Sequence, residues 1–204
     1  MNAPENAGTI RKHLSSLVGQ RLVRSRNFCA TRHFYFGQEN LDAAFLYTLG
    51  VDCPWRIRRH DTIVAGAADY YVRAEDNLAE SWEVGTATGH LQNQKLAELL
   101  GELKGDLILN TGADLVVRSV EADGCGGFRI DMAGDCVLEV FPSSRSQMEW
   151  IFMLPLPRRR AWVFMNGVLN RTAGKTRRPK VAPSKTAKTG QPKLRETRDS
   201  IRNP

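Results

Sequence analysis

The residues with most scope for chemistry in this chain are its four cysteines and the histidines near two of them. Cys29 and His33 stand four apart, Cys53 and His60 seven apart. Structural zinc takes two short-spaced Cys/His pairs. On an extended strand the α-carbons of Cys29 and His33 lie about 13 Å apart, too far to share an ion unless a bulge or turn intervenes. Cys53 and Cys136 each fall on the apolar side of an alternating stretch, where a cysteine packs as a small hydrophobe. No metal and no other cofactor is expected. Cys125 lies in the turn Gly124-Cys125-Gly126-Gly127. A reactive thiol needs a positive setting, and Glu121 and Asp123 supply the opposite, so Cys125 reads as an inert turn residue.

Other catalytic signatures are missing from the sequence: no G-x-S-x-G elbow, no P-loop, no H-E-x-x-H and no dinucleotide fingerprint. Asp61 and Asp69 flank an apolar run, and Glu75, Asp76, Glu80 and Glu83 form an acidic segment around Trp82. Two carboxylates run acid–base chemistry when burial separates their pKa values. A linear sequence does not show such burial, so this stretch reads as a solvated acidic segment, or a negative patch for a basic partner. No catalytic residue is assigned, and the sequence points away from an enzyme.

A base-stacking face is the next possibility. Phe34, Tyr35, Phe36, Tyr47, Trp55, Tyr70 and Tyr71 are interleaved with Arg24, Arg26, Arg32, Arg56, Arg58 and Arg59. Stacked rings between cations bind single strands. The alternation argues against it, because Tyr47 and Trp55 share a face with Leu49, Val51 and Ile57, which are core residue types.

The positive charge lies elsewhere. The chain has 204 residues and a net charge of +7, but 11 of its 29 Lys/Arg and 2 of its 22 Asp/Glu fall in residues 171–204. That stretch carries +9, and residues 1–170 carry −2. Lys175, Arg177, Arg178, Lys180, Lys185 and Lys188 form a cluster able to hold a polyanion through counterion release. The same stretch is rich in Thr, Pro and Ser, with few residues to bury, so a disordered basic tail is expected over residues 169–204. Nonspecific nucleic-acid contact is possible there; base reading is not, since no helix or strand is available to enter a groove.

The elements that would position any site are mostly strands. Leu115–Pro142 reads as three antiparallel strands joined by two glycine turns, with Phe128, Ile130 and Met132 facing one way. Gln20–Phe28 and Thr31–Phe36 read as strands. Phe45–Arg58 alternates throughout, with Pro54 marking an edge or a bulge. Leu78–Val84, Glu149–Leu154 and Ala161–Met165 read as further strands, the last two flanking an exposed Arg158-Arg159-Arg160 turn. Gly89–Lys104 is the amphipathic helix, with Leu96, Leu99, Leu100 and Leu103 on its apolar stripe and Gln92 on its polar side. Residues 1–12 are polar and read as a flexible N-terminus, ahead of a single domain over 13–168. The fold class is α+β: a largely antiparallel curled sheet or partial barrel with one amphipathic helix, plus the tail.

Leu49–Pro142 resembles small β-rich bacterial proteins of no assigned activity. The resemblance rests on Cys53-Pro-Trp-Arg-Ile57, Asp69-Tyr-Tyr71, Ser119-Val-Glu-Ala-Asp123, Gly127-Phe-Arg-Ile130 and Leu138-Glu-Val-Phe-Pro142, followed by Glu149-Trp150. It implies a compact intracellular domain, and by analogy one that binds another protein, as immunity or adaptor modules do. No run reaches the ~18 apolar residues of a membrane helix, and the N-terminal stretch lacks a secretory h-region. A cytoplasmic protein with reduced cysteines and another protein as partner is the expectation; polyanion contact through the tail is the alternative.

Overall fold

Period-two patterning governs most of the chain, and it produces two antiparallel sheets. The structure, a computed structural model, describes residues 3–28, 31–39, 41–72, 90–144, 146–158 and 160–172, with side chains from Asn6 onward. In chain order the first strands are β1 (Arg21–Phe28), β2 (Thr31–Gly37), β3 (Tyr47–Val51), β4 (Trp55–Arg59), β5 (Thr62–Gly66), β6 (Gly101–Lys104) and β7 (Leu107–Asn110). There follow β8 (Val117–Ala122), β9 (Phe128–Met132), β10 (Cys136–Val140), β11 (Met148–Met153), β12 (Ala161–Met165) and β13 (Val168–Thr172). The large sheet has eight strands in the order β13-β12-β11-β3-β2-β1-β7-β6; the small sheet has five, β5-β4-β10-β9-β8. Among the described residues neither sheet closes on itself.

The two inner faces share one apolar core. Phe34 of the large sheet meets Trp55 of the small sheet edge to face, ring centroids 5.2 Å apart, and Phe128 meets Trp150 in the same way at 5.2 Å. Trp150 stacks on Phe164 at 5.5 Å. The Trp150 indole donates to the Gly126 carbonyl at 2.9 Å. Gly126 has φ +94°, and a β-carbon there would sit 2.0 Å from the Phe164 ring. Only glycine fits that turn.

The three-strand reading of Leu115–Pro142 holds as β8, β9 and β10, with Phe128, Ile130, Met132, Cys136, Leu138 and Val140 all buried. Other expectations need correction. Phe45–Arg58 is two strands in two different sheets, because Asp52–Pro54 carry the chain across from β3 to β4. The amphipathic helix is α2, Leu91–Leu100; it stops at Gly101 (φ +130°), and Leu103 then pairs with Ile108 in β6–β7. The N-terminal stretch read as flexible forms a second helix, α1 (Ala3–Leu14), which anchors through the fully buried Ile10 and Leu14. With Leu17 these fall at i, i+4 and i+7, one helical face. The domain also runs past the expected boundary at 168, since Leu169–Thr172, read as the start of the disordered tail, belong to β13 and pair with β12. The expected strand at Leu78–Val84 and residues 173–204 of the expected tail lie outside the described residues.

Candidate binding face

Strand register assigns each side chain to the inner or the outer face of its sheet, because paired residues point the same way. On the large sheet, Phe34, Leu49, Phe152 and Trp162 occupy one inward row. The outward rows run Arg26, His33, Gly50, Ile151, Val163 and Arg24, Tyr35, Thr48, Met153, Ala161. Across β2, β3, β11 and β12 the outer face therefore carries no charged side chain.

The segment Ala43–Leu46 folds over part of this face. Asp42 starts it by accepting from the Ala44 amide at 2.9 Å, and the Ala44 carbonyl accepts from the Leu156 amide at 2.9 Å. Beneath the segment is a cavity of about 350 Å³. Its floor is Arg26, Phe28, His33, Tyr35, Thr48 and Met153; its wall is Ala43, Ala44, Leu46 and Leu154. Phe28 stands at the mouth, 63% exposed. His33 lies flat against β3 because Gly50 has no side chain: a β-carbon there would come within 3.0 Å of His33 Nε2.

The floor is polar at a few points only. Burial holds the His33 imidazole below its ordinary pKa; the Thr31 backbone opposes this, while Arg32 and Arg26 add to it. Its Nδ1 is buried and makes no well-formed hydrogen bond among the described residues. Burial raises Tyr35, with Arg26 and Arg24 pulling it back. Arg26 donates to Asp106 at 2.6 Å from Nε, and this bond raises the guanidinium. The cavity thus offers an imidazole, a phenol, a threonine hydroxyl and a cation over an apolar wall. That equipment suits holding a ligand.

The single arginine of β2 points the other way. Arg32 is 1% exposed; its Nε donates to Gln92 Oε1 at 3.0 Å, Nη2 to Asn93 Oδ1 at 2.6 Å and Nη1 to Ser25 Oγ at 3.4 Å. Gln92 in turn donates to the Gly66 carbonyl at 2.9 Å. This cluster pins the large sheet to α2 and to the end of β5. Burial pulls Arg32 down to about 10. Arg32 thus leaves the stacking-face set, and Gln92 leaves the polar side of its helix.

The remaining sequence candidates are not brought together. Cys53 and Cys136 are buried, as core cysteines should be; burial, then Glu149, pushes the Cys53 thiol up. Cys125 is exposed in its turn. Asp61 and Asp69 lie beyond opposite ends of β5, and Asp69 is taken up by Lys95 at 2.8 Å and the Gly66 amide at 2.8 Å. Arg158 and Arg160 are exposed between β11 and β12. No cluster of metal-ligating side chains occurs among the described residues. Cys29, Glu75, Asp76, Glu80, Trp82, Glu83 and the tail residues Lys175, Arg177, Arg178, Lys180, Lys185 and Lys188 lie outside them. No described helix is long and apolar enough to cross a membrane.

The architecture is that of an antiparallel α+β protein with two facing sheets. Compared with known proteins, the chain matches no family model, no curated protein and no solved structure.

Proposed function

We propose that this is a non-enzymatic binding protein of the adaptor or immunity kind, docking a partner protein on the outer face of its large sheet. The observation that carries the reading is the run of adjacent strands with no outward charge, ending at an exposed phenylalanine. A water-facing sheet face ordinarily alternates with polar residues. A broad uncharged patch on a soluble chain is a mark of an interaction surface. The cavity beneath Ala43–Leu46 interrupts that patch and supplies the depth an interface anchor needs.

The test compares two faces. Ile151→Lys and Val163→Lys place charge on the proposed docking face; Phe141→Lys does so beside the small sheet. Affinity purification of a partner that the first two variants lose and the third retains is the expected result. Equal retention by all three, each folded by circular dichroism, excludes this face. The second reading, polyanion contact through the residues after Thr172, is supported by their positive charge and is independent of the sheet.

A further inference from the structure

Resting on that docking face, we propose that the cavity beneath Ala43–Leu46 is the anchor hole for an aromatic side chain of the partner, tryptophan or tyrosine, flanked in the partner's chain by a carboxylate.

Three features select the anchor. The first is size: about 350 Å³ stands at the lower end of ligand cavities, enough for one ring system and not for a large cofactor. The second is the lining. Phe28, Leu46, Met153 and Leu154 present hydrocarbon, while His33, Tyr35 and Thr48 present polar atoms at the floor. An aliphatic anchor would leave those atoms facing hydrocarbon. Tryptophan and tyrosine each bring an apolar body with one polar tip. The third is ring content: His33 and Tyr35 lie side by side, centroids 6.3 Å apart and planes inclined by 29°, so the floor already carries two rings for a third to meet.

The flank follows from charge. Arg26 lines the cavity from β1, Arg24 is turned to the Leu41 and Glu39 carbonyls, and Arg32 lies behind the floor with neutral acceptors around its guanidinium. The nearby carboxylates are already engaged: Asp106 by Arg26, Glu39 by Arg21, and Asp42 by the Ala44 amide. Arg26 uses its Nε on Asp106, which leaves its terminal nitrogens for an incoming carboxylate. Arg–carboxylate pairing gives the flank its direction.

The probe is the peptide acetyl-Gly-Asp-Trp-Asp-Gly-amide carrying 5-fluorotryptophan, titrated with the full chain and read by fluorine NMR. Saturable binding is expected. It should weaken at least tenfold when tryptophan becomes alanine, and threefold to tenfold when both aspartates become asparagine. Ala44→Trp, which fills the hole from its exposed wall, should abolish binding; Arg26→Gln should weaken the Asp peptide and leave the Asn peptide unchanged. Equal binding of a Lys-flanked peptide, or binding undiminished by Ala44→Trp, overturns the proposal. So does free indole-3-acetate binding as tightly as the peptide, which would make the hole a small-molecule site. If no peptide binds while Ile151→Lys still loses the partner, the anchor fails and the docking face stands.

Discussion

The outer faces of the two sheets solve the same problem in opposite ways. On the small sheet, Arg56, Arg58, Arg129, Asp131 and Glu139 share the outer face with Val137 and Ile63, and the charges answer one another. Glu139 of β10 takes Arg56 at 2.6 Å and Arg58 at 3.5 Å from β4, while Arg129 of β9 takes Asp131 at 2.6 Å. That face is satisfied by water and by itself. On the large sheet, β2, β3, β11 and β12 put no charge outward, and the one arginine in β2 is turned inside. Equal strand geometry with unequal outer chemistry means that the difference is not a requirement of folding. It leaves one outer face crossed by ion pairs, with Ile63 and Phe141 exposed toward its margins, and the other without charge.

The largest effect should come from the inward arginine. Arg32→Ala removes a fully buried side chain and strands the Gln92 and Asn93 acceptors. Hydrogen bonds to a charged group and a new cavity together set a loss of about 3–5 kcal/mol in urea unfolding. Arg32→Met keeps the volume and removes the buried charge, so its loss should be about 1–3 kcal/mol. If Arg32→Met costs as much as Arg32→Ala, the hydrogen bonds matter and the volume does not. If neither costs more than about 0.5 kcal/mol, a typical surface value, the pin between sheet and helix is wrongly drawn.

A smaller effect is expected on the satisfied face. Glu139→Gln weakens its bridge to Arg56 and Arg58, which are partly exposed, so the loss should be up to about 1 kcal/mol. It should shrink as salt is raised, since such pairs are screened. The variant should leave partner capture intact. Loss of capture by Glu139→Gln would erase the contrast between the faces.

Much of this was legible in the sequence where the relevant contacts are local. The hairpins β8–β9 and β9–β10 declare themselves by period two and by their turn residues. Leu96, Leu99 and Leu100 announce α2, but its end depends on Leu103 pairing with Ile108, a tertiary choice that propensity does not encode. α1 was missed because Ile10 and Leu14 are sparse among polar neighbours, although their spacing was the available signal. The alternation from Tyr47 to Ile57 runs unbroken through Asp52–Pro54, so periodicity could not reveal a change of sheet. Arg32 and Gln92 stand 60 residues apart, and no local pattern marks a buried guanidinium. The cavity joins β1, β2, β3 and the 43–46 segment to β11, which lies far along the chain from all of them. One clue was present: the outward positions His33, Tyr35, Gly50, Ile151, Met153 and Val163 are not the charged residues of a wet face.

The smallest effect is a slope with pH, and it separates the faces by a different property. The floor of the large-sheet cavity holds an imidazole that burial keeps below its ordinary value of 6.5, with Arg32 and Arg26 adding to the shift. His13 and His90 are lowered as well, by burial first. A group whose folded value lies below its unfolded value binds more protons unfolded, so stability is full above the unfolded value and falls as the pH drops toward the folded one. Urea midpoints should therefore decline from pH 7.5 to 5.5, a window above the ordinary carboxylate range. His33→Gln should flatten part of that decline and leave the rest to His13 and His90. A wild-type midpoint that rises on acidification contradicts the sign, and an unchanged slope in His33→Gln removes the imidazole from the buried floor. An aromatic anchor seated on that floor would bury His33 further. The partner-bound chain should then show a steeper slope than the free one, whereas a partner bound at the small sheet would leave the slope where it was.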